Sequence, residues 1–285
     1  MLRRAKPLLG TLVEVAVSAA TVELEWRAAI AAFQAVADVH RLMSFHEPDS
    51  DVTRLNRYAH TRAVEVDPRT YAVLRRARDL GRASNGRFDC AVGGRMLALG
   101  ALPRTTGVGG HEAATWRDVT LLPDSQIRFR RALALDLGGI AKGFAVDQAV
   151  EALARCGAEA GCVNAGGDLR VFGDRNWPIA IRRPEASGEL VPLAPLRNRA
   201  LATSAGTFAP GGAIVDPATG RFRTRPKSVS ILAPNCMDAD ALTKVVWLAE
   251  HPPLDLLERL DARAIVLGPS ASVSESVSEL RRAAG

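Results

Sequence analysis

The sequence predicts a single α/β (α+β) domain over residues 1–285, and three observations carry that prediction. Segments with the helical period of apolar residues alternate with short runs of strand character along the chain. No linker-like stretch or repeat of the solenoid kind divides it. The 285 residues, 47% hydrophobic and 24% charged, are ample for a sizeable core and ordinary for a soluble globular protein.

Residues 12–17 read as a strand ending before a small-residue turn. Between residues 23 and 41, Trp26, Ile30, Phe33 and Ala37 recur at helical spacing, predicting an amphipathic helix with these residues on its core face. A polar loop follows, in which Ser50 or Asp51 caps a short helix through Leu55. A helix over residues 70–83 points Val73, Leu74, Ala77 and Leu80 inward and stops at Asn85-Gly86. Residues 101–115, rich in Gly, Pro and Thr, form a surface loop. Strands near 117–121 and 127–135 flank a turn at Pro123-Asp124-Ser125, and a helix carries Val146, Val150 and Leu153 as far as Gly157. Further strands lie near 161–172, 178–182, 228–233 and 264–267, with turns at Pro210-Gly211-Gly212 and Asp216-Pro217. Helices run over residues 240–249 and again after Pro253. Mixed helices and strands without a linker give one domain.

The net charge of +6 comes from scattered arginines with no long basic run, and aromatic residues are 5% of the chain. A solvated basic surface follows, with no nucleic-acid partner. Cys90, Cys156, Cys162 and Cys236 show no CxxC spacing and the histidines lie far apart, so a His/Cys zinc site is not expected. No signal-peptide core and no membrane-spanning stretch is visible, and the expected location is cytoplasmic.

Asp136-Leu137-Gly138-Gly139-Ile140-Ala141-Lys142-Gly143 is the most informative segment. Its glycines precede a helix, where backbone approaches a ligand closely, and Lys142 adds positive charge. A P-loop is excluded, because Gly143 stands where Ser or Thr must follow the lysine. No Gly-x-Gly-x-x-Gly follows a strand, so a Rossmann site is unsupported.

With its neighbours this block resembles the ApbE family of FAD:protein FMN transferases over nearly the whole chain. The matching pieces, in family order, begin with Pro7-Leu8-Leu9-Gly10-Thr11, Met43-Ser44 with Asp49-Ser50-Asp51, and Gly86-Arg87-Phe88-Asp89. The Asp136–Asp147 block, Asn164-Ala165-Gly166-Gly167-Asp168 and Thr203-Ser204-Ala205-Gly206 follow. Asp216-Pro217-Ala218-Thr219-Gly220 and Asp238-Ala239-Asp240-Ala241-Leu242 complete the series. The resemblance implies a T-fold-like domain that binds FAD as substrate, uses Mg²⁺, and attaches FMN to a threonine or serine of an acceptor protein, releasing AMP. A divalent cation on the pyrophosphate suits that chemistry, since charge builds on the phosphate oxygens.

By the same resemblance, Asp136 and Lys142 are flavin contacts, with Arg87, Phe88 and Asp89 as a second contact segment and Leu9, His46 and Ile214 as further ones. The Gly139 carbonyl and the Asp240 carboxylate match metal ligands, and Asp240 with Lys142 would carry the chemistry. Two alternatives stay open beside the resemblance: Asp240 as the cap of the helix it opens, and Phe88 as a core residue rather than a cofactor wall. Two positions depart from the family pattern. Its Asp-Ala-Leu-x-Thr reads Asp240-Ala241-Leu242-Thr243-Lys244 here, which leaves Thr243 as the metal-site hydroxyl, rotated by about 100°. Its His-Ile-Ile-Asp-Pro turn reads Ala213-Ile214-Val215-Asp216-Pro217. Three readings stay open: the transferase, an FAD-holding relative without the chemistry, and a Mg²⁺-dependent FAD pyrophosphatase.

Overall fold

The computed structural model describes residues 1–104, 107–108, 110–184, 189–205, 214–224 and 227–268. The expected turn at Pro210-Gly211-Gly212, and Ala213, lie outside them. Along the chain, β1 (Leu2–Leu8) and β2 (Thr11–Ser18) precede α1 (Val22–Met43), α2 (Asp51–Tyr58), β3 (Val64–Glu65), α3 (Pro68–Ala83) and α4 (Gly93–Ala98). Next come β4 (Val119–Leu121), β5 (Gln126–Phe129), α5 (Ala141–Arg155), β6 (Ala160–Ala165), β7 (Asp168–Gly173), β8 (Ala180–Arg182) and β9 (Leu190–Pro192). The chain continues through β10 (Ala200–Ala205), β11 (Ile214–Val215), β12 (Phe222–Arg223) and β13 (Ser228–Ala233). It then forms α6 (Cys236–Leu248), α7 (Leu254–Arg259) and β14 (Arg263–Leu267). The fold is of the expected mixed class, with helices packed around antiparallel sheets.

Two compact units are distinguishable: Met1–Asp38, Lys142–Gly212 and Thr224–Gly285 make one, Val39–Ala141 and Ala213–Arg223 the other. The first is built on a seven-stranded antiparallel sheet in the order β1-β2-β6-β7-β10-β13-β14. Alternation along its strands divides the side chains between two faces. Leu169, Val171 and Leu201 join Trp177, Ile181 and Ile265 in an apolar cluster on one face. Asp168 and Arg170, the alternate residues of β7, bond to side chains of α5. α6 packs against β7, β10 and β13.

Residues 161–172 do not form one strand. Gly166 and Gly167 take positive φ values of 62° and 102°, and the Gly167 N–H donates to Asn164 Oδ1 at 2.9 Å, folding the run into the β6–β7 hairpin. The face of α1 is also corrected. Ala28, Ala32, Phe33 and Val36 are buried, whereas Trp26 and Ile30 are exposed. Small side chains let the helix approach its neighbours, and the Arg4 guanidinium lies 4.1 Å over the Trp26 ring instead.

The second unit holds α2, α3 and the three-stranded sheet β3-β5-β4. Ser50 caps α2 by accepting the Thr53 N–H at 3.1 Å. Asp67 caps α3, which starts with Pro68 and buries Val73, Leu74, Ala77 and Leu80. The strand expected at 127–135 ends at Phe129. Beyond it the buried Asn56 side chain bonds both main-chain groups of Leu135, at 3.1 and 2.7 Å, as a neighbouring strand would.

Candidate active site

In the first unit, α5 and α6 are joined by carboxylates that each offers to the other's first turn. Asp147 on α5 accepts the N–H groups of Cys236 and Met237, the first residues of α6, at 2.9 and 2.8 Å. Asp240 on α6 accepts the Gly143 N–H at 3.0 Å. The first N–H groups of a helix lack partners within it and carry partial positive charge, so an anion is favoured at both places. Gly143 permits the approach. A Cβ there would lie 2.2 Å from the Cys236 carbonyl oxygen and 2.8 Å from Asp240 Cβ. Arg170 closes on Asp147 at 2.9 Å. Burial still lifts the Asp147 carboxyl above the usual range, outweighing Arg170 and the two N–H groups.

Two further ion pairs complete the cluster. Lys142 Nζ lies 3.1 Å from Asp168 Oδ2, and Asp168 is buried. Lys244 pairs with Asp240 Oδ1 and also donates to the Asp240 carbonyl at 3.0 Å. Burial pulls the Lys142 ammonium down, but Asp168 and Asp240 outweigh it and hold the group above its ordinary value. Lys142 is therefore charged at neutral pH. Burial and then the Asp240 charge push the Asp168 carboxyl up, against the pull of both lysines. The pair is unequal because the carboxylate is much the more enclosed partner.

Asp240 does not open its helix. α6 starts at Cys236 and is capped by Asn235, which accepts the Asp238 N–H at 2.8 Å. Asp240 sits one turn later, because Asn235 is the better-placed capping side chain. Its carboxylate is nevertheless at a helix start, that of α5. Thr243 is fully buried, donating its hydroxyl to the Asp240 carbonyl at 2.7 Å and meeting the Ser204 hydroxyl at 2.7 Å.

These partners bear on the metal expected at Asp240 and Thr243. Mg²⁺ is held in an octahedron of oxygens at about 2.1 Å. Here one Asp240 oxygen faces an N–H, the other an ammonium, and the Thr243 hydroxyl is spent on a carbonyl and Ser204. The arrangement does not fit a divalent cation. Among the described residues no three His, Cys, Asp or Glu side chains group as a metal site.

The remaining expected contacts belong mostly to the second unit. Asp136 is half-buried, and its N–H donates to the Cys90 carbonyl at 2.9 Å, which brings it beside the Arg87–Asp89 segment. Arg87 is exposed, Phe88 is buried and 4% accessible, and Asp89 accepts the Ala91 N–H at 2.8 Å to cap a short turn. The Gly139 carbonyl lies in the turn closed by the Ile140 and Ala141 N–H groups on the Leu137 carbonyl. His46 is exposed in the loop after α1, its N–H on Ser44 Oγ at 3.1 Å, and Ile214 pairs with Arg223 in β11. Leu9, in the first unit, stands at φ 55° in the β1–β2 turn before Gly10 at 70°. Asp147 and Arg170 were not expected. Asp147 closes the matching Asp136–Asp147 block without a role assigned to it, and the signal at Arg170 is a charged residue inside a strand.

The ApbE family's sequence profile matches residues 9–266. The chain is 30% identical over 302 residues to the FAD:protein FMN transferase of Treponema pallidum, a match covering 89% of this chain and 83% of that protein. It is 34% identical over 205 residues to the FAD:protein FMN transferase of Rhodobacter capsulatus, covering 65% of this chain and 39% of that longer relative. The ApbE protein from Thermotoga maritima superposes with a TM-score of 0.84 at 25% identity, covering 98% of each chain.

Proposed function

The chain belongs to the ApbE family, and from that premise we propose that it is an FAD:protein FMN transferase. FAD is the substrate and a second protein the acceptor. The observation that carries this reading is the charged cluster at the start of α5, where the Lys142 ammonium pairs with buried Asp168 and is held in its charged form. A fixed ammonium at the start of a helix suits a pyrophosphate, whose oxygens take up charge as the bond breaks. The acceptor hydroxyl oxygen bonds to the FMN phosphorus, the pyrophosphate P–O bond breaks, and AMP leaves with its electron pair. The hydroxyl proton is released to solvent, since Ala213 stands where the family places a histidine.

Leu9, His46, Arg87, Asp89, Asp136 and Ile214 stay proposed flavin contacts on the strength of the resemblance. Phe88 is better read as core. Free Cys90, Cys156, Cys162 and Cys236 support a reducing compartment such as the cytoplasm. No helix among the described residues is long and apolar enough to cross a membrane.

Mass spectrometry of a threonine-bearing acceptor domain after incubation with FAD tests the proposal. The expected result is an acceptor heavier by one FMN, lost when Lys142 is replaced by Ala. Free FMN and AMP with an unmodified acceptor would make the protein a pyrophosphatase. No product with FAD bound would make it a flavin-holding relative.

A further inference from the structure

We propose that Lys244 is the site's resident cation, standing where the family uses Mg²⁺, so that FAD is held without a divalent metal. The inference rests on the FAD reading above. It starts from the geometry of Asp240, which is fully buried with both carboxylate oxygens engaged. One accepts the Gly143 N–H; the other holds the Lys244 ammonium. The same ammonium donates to the Asp240 carbonyl at 3.0 Å. An ammonium has three N–H groups. Two are spent on Asp240, and one remains for a ligand oxygen on a side chain that is 21% exposed.

Charge accounting points the same way. Asp168 and Asp240 bring two negative charges, and Lys142 and Lys244 bring two positive ones. A divalent ion on Asp240 would have to displace an ammonium tethered only four residues away and then sit beside it. Two like charges about 4 Å apart repel strongly in a buried setting. The hydroxyl at Thr243 cannot compensate, because it already bonds the Asp240 carbonyl and Ser204. A tethered ammonium supplies the charge that a pyrophosphate needs. It lacks the coordination geometry of Mg²⁺, acting as a point charge with a few donors. Lys142 and Lys244 then form a two-ammonium cradle, each lysine held by its own buried aspartate.

The test is a set of titrations on the full chain and on Lys244→Thr, which restores the family's hydroxyl. Mn²⁺ alone is titrated calorimetrically into each protein, and FAD is titrated by fluorescence with EDTA or with Mg²⁺. The native chain is expected to give no Mn²⁺ binding and an FAD affinity that changes less than about two-fold between EDTA and Mg²⁺. Lys244→Thr is expected to bind FAD about ten-fold more weakly in EDTA and to recover with Mg²⁺. Mn²⁺ binding by the native chain, or FAD affinity that rises about ten-fold with Mg²⁺, overturns the proposal. If the variant does not fold, the native-chain titrations still decide. If FAD fails to bind the native chain under any condition, the flavin reading falls. The Mn²⁺ arm then judges Lys244 alone: no uptake by the native chain sustains the replacement, and uptake refutes it.

Discussion

In the second unit, Asp67 accepts the N–H of Arg69, Asp89 that of Ala91 and Asp216 that of Ala218, each only two residues ahead. Asp51 reaches furthest among these, to Thr70, 19 residues on. In the first unit, Asp147 reaches Cys236 and Met237 across 89 and 90 residues, and Asp240 reaches Gly143 across 97. In both sets a carboxylate wholly or partly withdrawn from water finds partners. The sets differ in when the partners exist. A turn supplies its own N–H as soon as it forms. The α5–α6 carboxylates have partners only once the strands between these helices are in place. Charge at the candidate site is therefore a property of the assembled unit.

Three substitutions sharpen or break this contrast. Gly143→Ala should cost the most, above about 4 kcal/mol, because the added Cβ meets backbone atoms of Cys236 that cannot swing aside. Urea unfolding followed by circular dichroism would show it, and a loss below about 1 kcal/mol would mean that the two helices separate easily. Asp147→Ala should cost about 3–4 kcal/mol, since it strands Arg170 and two helix-start N–H groups at once. The same measurement applies, and a cost near that of a local cap, about 1 kcal/mol, would erase the contrast.

Asp89→Asn should have the smallest effect, and it should stabilise. Burial lifts the Asp89 carboxyl from 3.8 to about 6 despite the Ala91 and Trp116 N–H groups. A carboxyl raised in the folded state binds its proton more tightly there than when unfolded. Its contribution is thus fully present below pH 4 and fades as pH climbs through 6. At pH 7 the gain on removing the charge should reach at most about 3 kcal/mol, shrinking towards pH 4. Urea midpoints at both pH values would check this, and a gain independent of pH would show that the carboxyl is not the source.

What the sequence reveals follows the same division. Ser50 as the α2 cap, the buried stripe of α3 and the strand Ser228–Ala233 were legible because each is decided by neighbours within one or two turns. Lys142, Asp136 and Asp240 are singled out by motif order alone. Asp168 appeared only inside a matching block, and its partnership with Lys142 only in three dimensions. Asp147 likewise only closes a matching block, and Arg170 lies in none; a charged residue in a helix or strand reads as solvent-facing until its distant partner is seen. Trp26 misled for a different reason. A helix with apolar residues on two stripes does not say which is buried, and the alanine stripe gave the closer packing. At Lys244 the sequence showed only the departure; the ammonium's place on Asp240 is set by the helix spacing of four residues and the burial around it.

The mutual fastening of α5 and α6 has a kinetic meaning. Neither helix start is complete alone, and each carries the anion that completes the other. A partly folded chain with one helix docked would leave several N–H groups and a carboxylate without partners. Such a half-formed state is penalised from both ends, so the two helices should come together late and in one step. Opening would follow the same course, with the amides at both helix starts becoming exchangeable together. The lysine–aspartate cluster would then be either whole or absent, and the proposed pyrophosphate site with it.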